Sequence, residues 1–220
     1  MRVLVTGGLG YIGHAVTFDL VSAGHEVTAL TRTGTMSESP APRRASVIAG
    51  DLLDRARVCE IIGSGQFDAV VHLAGLARAR QSFDEPLPYF DVNLCGTINL
   101  LYALSGLPDG VEPPSLIYAS TTLVYGSRHV GPVDENAEPS PESPYADTKV
   151  AAERLILSHA TSGKIGAAIL RIFNVGGGVD GVCDTDPTRI IPNLLRAAAG
   201  EIPAITVVGN GTALRDFVHV

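Results

Sequence analysis

No stretch of this 220-residue sequence stays apolar for the roughly 20 residues a membrane span needs, so a membrane is not an expected partner. Three cysteines, Cys59, Cys95 and Cys183, stand far apart, with neither metal-ligand spacing nor the density of a disulfide framework. A reducing, cytoplasmic compartment is the expectation. Basic residues are outnumbered 16 to 23, for a net charge of -7, and the only adjacent basic pair is Arg43-Arg44 in a loop. Nucleic acid, whose binding needs a basic patch, is therefore not expected either. The six histidines, at 14, 25, 72, 129, 159 and 219, lack ligand spacing, and no metal is expected. Repeats and low-complexity tracts are missing as well, apart from a mild Pro/Ser/Glu-rich stretch over 135–144. A strand pattern begins within the first three residues, which leaves no room for a signal peptide. What is present, 45% hydrophobic residues with 24 Gly and 14 Pro, suits one substantial globular core and excludes collagen, coiled-coil and disordered classes.

Short apolar runs at 3–5, 27–30, 47–49, 69–73, 116–119 and 167–172 have the continuous hydrophobicity of buried parallel strands. Helical spacing separates several of them, over 12–23, 55–62, 87–104 and 146–159. This alternation predicts an α/β fold, a Rossmann-type doubly wound parallel sheet. Pro108-Asp109-Gly110 reads as a turn. After Asn174 the pattern loosens: a loop over 176–178, a helix over 189–199 with Pro192 in its first turn, a strand over 205–208, and another beginning at 217.

The first strand runs into Gly7-Gly8-Leu9-Gly10-Tyr11-Ile12-Gly13 and then a helix. In that context Gly7 permits the turn, Gly10 opens the backbone to a pyrophosphate, and Gly13 lets helix and sheet approach, which points to dinucleotide binding. At the end of the second strand, where a carboxylate would bond a ribose and repel a 2′-phosphate, the chain has Thr31-Arg32. Arg32 pairs with a 2′-phosphate, stacks on adenine, or is simply solvated; NAD or NADP both remain open. Asp51, after the third strand, is placed to bond the adenine amino group or to cap the following helix.

Tyr145 and Lys149, four apart on a helix preceded by Pro144, share one face. An ammonium there stabilises the phenolate and lowers the tyrosine pKa from about 10 toward working pH. Ser120-Thr121-Thr122 follows the strand at 116–119, placing hydroxyls at a strand carboxyl end beside a bound nicotinamide. Such a set suits proton transfer coupled to a redox cofactor, without a metal. Asn93, inside a helical stretch, is either buried and hydrogen-bonded, bracing the site, or exposed.

Together these residues resemble the extended short-chain dehydrogenase/reductase family, and within it the UDP-galactose 4-epimerases and related nucleotide-sugar epimerases. Thr6-Gly7-Gly8-Leu9-Gly10-Tyr11-Ile12-Gly13 is similar to the family's glycine fingerprint, Gly50-Asp51-Leu52 to its adenine-side motif, and His72-Leu73-Ala74-Gly75 to the segment passing under the cofactor. Asn93 with Gly96-Thr97, Ser120-Thr121 with Val124-Tyr125-Gly126, and Tyr145-Ala146-Asp147-Thr148-Lys149 match in turn. Arg171-Ile172-Phe173-Asn174, Ile191-Pro192-Asn193-Leu194, Gly209-Asn210-Gly211 and Arg215-Asp216-Phe217-Val218-His219-Val220 resemble substrate-side segments.

The resemblance implies catalysis by Thr121, Tyr145 and Lys149. It implies a nicotinamide cofactor held by Gly7, Gly10, Tyr11, Ile12, Gly13, Thr31, Arg32, Asp51, Leu52, Leu73, Ala74, Gly75 and Asn93, with Tyr145 and Lys149. A nucleotide-diphosphate sugar would be met by Thr121, Asn174, Asn193 and Arg215. The implied activity is 4-epimerisation by transient hydride transfer to the cofactor, with Tyr145 taking the proton of the 4-hydroxyl. An NADPH-dependent 4-keto-sugar reductase would use the same residues, and a non-catalytic dinucleotide-binding protein is the alternative outside enzymes. Thr122-Leu123 stands where sugar 4,6-dehydratases carry an acidic pair, which disfavours dehydration. The expected organisation is a dinucleotide-binding domain over 1–174 and a partial substrate domain over 175–220. That second domain is read as truncated, because family members generally continue beyond this point and the chain ends inside a strand; a homodimer is a candidate assembly.

Overall fold

A computed structural model describes residues 1–32, 44–108, 110–129, 131–207 and 209–220. The predicted strands form as β1 (Arg2–Thr6), β2 (Glu26–Thr31), β3 (Ser46–Ala49), β4 (Ala69–His72), β5 (Ser115–Thr121) and β6 (Ala167–Ile172). They make one six-stranded parallel sheet in the order β3-β2-β1-β4-β5-β6. The order reverses direction at β1, which sits between β2 and β4, and such a switch point opens a crevice at the strands' carboxyl ends. Register keeps those ends level: Thr6 pairs with Leu30 and His72, and His72 with Tyr118.

The pleat divides the core. Leu4, Leu30, Val70, Leu116 and Tyr118 pack with buried residues of α2 (Arg55–Gly65), α5 (Gly96–Ser105) and α6 (Pro144–Thr161). Val3, Val5, Val27 and Ala69 form a second cluster with Val16, Leu20 and Val21 of α1 (Tyr11–Ser22). The outer strands depart from the expectation of full burial. In β6, an edge strand hydrogen-bonded only to β5 within this sheet, Leu170 is 52% exposed.

The helical stretch expected over 87–104 is compound. After α3 (Gln81–Asp84) comes α4 (Pro86–Tyr89), then a π-helical turn (Phe90–Cys95), then α5. The helix from 55 is capped by Asp54, whose carboxylate accepts from Arg57 N–H at 3.0 Å, rather than by Asp51, whose Oδ1 accepts from Leu53 N–H at 2.9 Å. α6 opens on Ser143, which accepts from Ala146 N–H at 3.2 Å, with Pro144 in its first turn.

Beyond β6 lie β7 (Asn174–Gly176), β8 (Gly178–Val179), β9 (Val182–Cys183), α7 (Ile190–Ala198) and β10 (Phe217–His219). The expected loop at 176–178 thus contains the end of β7 and the start of β8, hinged at Gly177 with φ +103°. β10 pairs in parallel with β7, and β8 with β9 antiparallel. The strand expected over 205–208 does not form at 205–207, and Val208 lies outside the described residues. Arg43 and Asp109, the middle of the expected 108–110 turn, also lie outside them; Val111 N–H donates to the Pro108 carbonyl at 3.1 Å. Among the described residues no helix is long and apolar enough to cross a membrane.

Candidate active site

Gly7 turns the chain out of β1 at φ +70°, and a Cβ on it would stand 3.0 Å from the Ala74 backbone. A Cβ on Gly13 would fall 2.0 Å from the Gly7 carbonyl oxygen, so only glycine lets α1 start so close to the turn. A Cβ at Gly10, by contrast, would meet only that oxygen, at 3.3 Å. Beside this turn runs a cleft of about 280 Å³. Its lining brings together Gly7, Gly10, Thr31, Arg32, Asp51, Leu52, Leu73, Ala74 and Gly75 from the ends of β1 to β4. These residues fit a dinucleotide: a glycine turn at a helix start for the pyrophosphate, Asp51 and Arg32 at one end, and the 73–75 backbone as floor. Of the expected cofactor residues, Tyr11, Ile12, Gly13, Asn93, Tyr145 and Lys149 stand outside the lining. Tyr11 donates to the Gly177 carbonyl at 3.0 Å, tying α1 to the β7–β8 connection.

The floor is braced by buried polar groups whose directions can be worked out. Burial holds the His72 imidazole down to about 3, so it is neutral and carries one proton. Thr97 gives its hydroxyl proton to the Asn93 carbonyl at 2.6 Å and must accept from His72 Nε2 at 3.0 Å. His72 Nδ1 therefore accepts from Thr6 Oγ1 at 2.7 Å, which itself accepts from Ala74 N–H at 3.2 Å. Asn93 is buried, as one of its two sequence readings required. It accepts from Leu76 N–H at 2.8 Å and donates to the Leu76 carbonyl at 3.0 Å and to Thr148 Oγ1 at 3.2 Å.

Thr121, Tyr145 and Lys149 are buried together where β5 meets α6. Lys149 Nζ donates to the Ala119 carbonyl at 2.9 Å and lies 4.7 Å from the centre of the Tyr118 ring. A Cβ on Gly75 would stand 3.7 Å from that ammonium, so the lysine adjoins the end of the cleft. Burial lowers Lys149 to about 8, against the opposing charge of Glu153. The expectation that Lys149 depresses the Tyr145 pKa is corrected here. Burial pushes the phenol up, while its hydrogen bond to Thr121 and the charge of Arg189 work in the other direction. The ammonium is engaged with Ala119 and Tyr118 instead. The neighbouring hydroxyls have different partners: Ser120 donates to Glu153 Oε1, and Thr121 Oγ1 accepts from Leu123 N–H at 3.2 Å.

A model of the NAD dependent epimerase/dehydratase family matches residues 3–220. The chain belongs to that family. A UDP-glucose 4-epimerase of Streptomyces lividans is 36% identical over 227 residues, covering 100% of this chain and 68% of the relative. UDP-glucose 4-epimerase 2 of Oryza sativa subsp. japonica is also 36% identical, covering 99% of this chain, which spans only 58% of that relative's length. Among solved structures, a UDP-glucose 4-epimerase from Stenotrophomonas maltophila with bound NAD and formylated UDP-arabinopyranose superposes with a TM-score of 0.87 at 32% identity. That match covers 100% of this chain and 70% of the other. One from Brucella ovis in complex with NAD gives 0.88 at 30% identity, covering 99% and 69%.

In this member of the family three of the expected substrate-side residues each donate to a backbone carbonyl. Asn174 donates to the Asp216 carbonyl at 3.0 Å, holding β7 to β10, and Asn193 donates to the Pro187 carbonyl at 2.6 Å. Arg215 is exposed and donates to the adjacent Leu214 carbonyl at 2.6 Å. Sequence reasoning missed other groups near the chemistry. Arg78, after β4, pairs with Asp186 at 3.0 Å, and Arg189 with Asp184 at 3.1 Å, so the segment entering α7 is tied to the loop beyond the cleft floor. Glu153 was missed too, although it continues the Tyr145, Lys149 spacing by one more helical turn. Among the described residues no three His, Cys, Asp or Glu side chains gather to hold a metal, and the three cysteines are exposed.

Proposed function

We propose that this chain carries the chemistry of a nucleotide-sugar 4-epimerase, with residues 1–174 holding the cofactor and the catalytic groups and residues 175–220 contributing to sugar-nucleotide binding. The observation that carries the reading is the buried set Thr121, Tyr145 and Lys149, with the lysine at the Gly75 end of the dinucleotide cleft. Gly7, Gly10, Asp51, Leu73, Ala74 and Gly75 would hold NAD, the cofactor named for the two structural neighbours above. When bound, the nicotinamide supplies a reversible hydride acceptor. In its ionised form Tyr145 takes the proton from the sugar 4-hydroxyl at its Oη and later returns it. Thr121, bonded to that phenol, shares the substrate oxygen and favours the ionised form. Lys149 brings positive charge to the cleft end at pH values below about 8. Asn174, Asn193 and Arg215 are assigned to the sugar nucleotide, each by exchanging its present backbone carbonyl for a ligand oxygen.

The position of Arg32 in the cleft lining, beside Asp51, supports a second reading in which NADP is taken and a 4-keto sugar is reduced. Cofactor balance separates the two. An epimerase interconverts UDP-galactose and UDP-glucose with a catalytic amount of cofactor and no net change in its oxidation state, whereas a reductase consumes NADPH stoichiometrically with product. Tyr145→Phe should lower turnover by about 10²-fold or more in either case, with cofactor affinity little changed. Cofactor binding with no turnover of any nucleotide sugar would leave only a dinucleotide-binding protein.

A further inference from the structure

The first turn of α6 fixes the backbone of Tyr145 but leaves its side-chain torsions to be settled by packing. Its N–H, one of the donors that a helix start leaves without an intrahelical partner, donates to Ser82 Oγ at 3.1 Å, and its carbonyl accepts from Thr148 Oγ1 at 2.6 Å. Ser82, fully buried in α3, is held in turn by donating to the Ala79 carbonyl at 2.6 Å. With the backbone held on both sides of Cα, what meets the ring decides where its oxygen stands.

Tyr89, the last residue of α4, meets that ring. The two centroids lie 6.3 Å apart with their planes at 79°, the edge-to-face arrangement that aromatic pairs prefer, so the contact favours one orientation as well as one distance. Tyr89 is only 2% exposed, and its far end is pinned, with Oη donating to the Arg78 carbonyl at 2.7 Å. Residues 78–89 thus support Tyr145 twice, through Ser82 at the backbone and through Tyr89 at the ring. The same loop is fastened just before this stretch, where Asn93 accepts from Leu76 N–H at 2.8 Å and donates to the Leu76 carbonyl at 3.0 Å.

We infer that Tyr89 is a positioning residue: anchored at the Arg78 carbonyl, its ring holds the Tyr145 ring edge-to-face and so sets where the phenol oxygen stands. The catalytic consequence rests on the proposed function; the orientation of the ring does not. The Tyr89 hydroxyl is committed to a backbone carbonyl, so it acts on the reaction only through Tyr145. Without the Tyr89 ring, Tyr145 keeps its chemistry and its backbone but samples other torsions, and a proton transfer that depends on distance and line slows.

Tyr89→Leu removes the ring, and Tyr89→Phe keeps it while dropping the anchor. In the full chain with NAD, Tyr89→Leu should lower kcat about tenfold with KM and NAD affinity within about twofold of wild type, and Tyr89→Phe should recover kcat to within about threefold. Should Tyr89→Leu fail to fold, Tyr89→Met takes its place with the same expectations. In the Tyr145→Phe background, where the oxygen to be positioned is gone, Tyr89→Leu should cost no more than about twofold, whereas general damage to the site would multiply with the first loss. A readout independent of turnover is the order parameter of the Tyr145 ring in protein labelled with ¹³C at tyrosine Cε, assigned by its absence in Tyr145→Phe. It should fall in Tyr89→Leu and hold in Tyr89→Phe. Wild-type kcat with an unchanged order parameter in Tyr89→Leu would overturn the inference, even if the variant melts at a lower temperature. A tenfold loss that persists in the Tyr145→Phe background, or a Tyr89→Phe variant as slow as Tyr89→Leu, would overturn it as well. If wild-type protein turns over no nucleotide sugar, the proposed function fails and the order parameter decides the positioning.

Discussion

Lys149 shows what burial costs a lysine. The residue is 5% exposed and its pKa is held at about 8, against 10.5 for an ordinary lysine. Between those values the unfolded chain binds more protons than the folded one, so the lysine's contribution to stability rises with pH across the window and is least favourable below about 8. A shift of this size corresponds to on the order of 3 kcal/mol. Lys149→Met removes the effect. In cofactor-free protein, the melting temperature of wild type should therefore rise relative to that of the variant as pH rises from about 8 to 10; a constant difference would contradict the assignment. Arg32 allows a sharper test, because it lines the cleft and is exposed. If its fork meets a 2′-phosphate, Arg32→Ala should weaken NADP binding by about 1.5–3 kcal/mol and leave NAD within a small factor. Titration of both oxidised cofactors decides, and equal losses would indicate stacking or fold support. Much of this residue-level picture was legible. Spacing alone paired Tyr145 with Lys149, yet it could not show that burial raises the phenol, because desolvation depends on what the other strands and helices cover. The Glu153–Arg171 pair was hidden for the same reason: a glutamate on an amphipathic helix looks solvated until Arg171 of a distant strand is placed beside it.

Among the elements, the glycine turn and the start of α1 read most directly from sequence, since each glycine there answers a local steric demand. Gly10→Ala and Gly13→Ala should separate two of those demands. At Gly13 the new methyl meets backbone at 2.0 Å, so the fold should lose stability by about 1–3 kcal/mol or more and cofactor binding should fail with it. At Gly10 the contact is 3.3 Å and the cleft lies alongside, so the fold should survive while dinucleotide affinity drops. Thermal melts combined with cofactor titration check both; equal destabilisation would refute the distinction. Less local features escaped the sequence reading. The π turn over Phe90–Cys95 leaves no mark on a 3.6-residue pattern, since one wide turn merely shifts the phase of the helix after it. Asp51 and Asp54 are both suitable caps a few residues apart, and only the backbone path selects Asp54. The β7–β10 pair joins segments far apart in sequence, each too short to announce itself by alternation.

At the scale of the molecule, the parallel sheet brings the ends of β1 to β5 level, so that the cleft beside the glycine turn is lined from the ends of four strands. The α/β alternation made that architecture legible, because each buried strand and each amphipathic helix carries its own signature. The segment after β6 was not legible in the same way. Its placement depends on Arg78 with Asp186, Tyr11 with Gly177, and Asn174 with Asp216, contacts between residues that nothing in their neighbourhoods links. In the proposed reaction these parts together invert a sugar carbon by removing and returning its hydrogen. Deuterium placed at C4 of UDP-galactose follows that hydrogen, with the protein, catalytic NAD and NMR detection. UDP-glucose should form with deuterium retained at C4, and at least about 10²-fold more slowly with Tyr145→Phe than with wild type. Absence of the C4 epimer, wash-out of the label into solvent, or equal rates for the two proteins would contradict it.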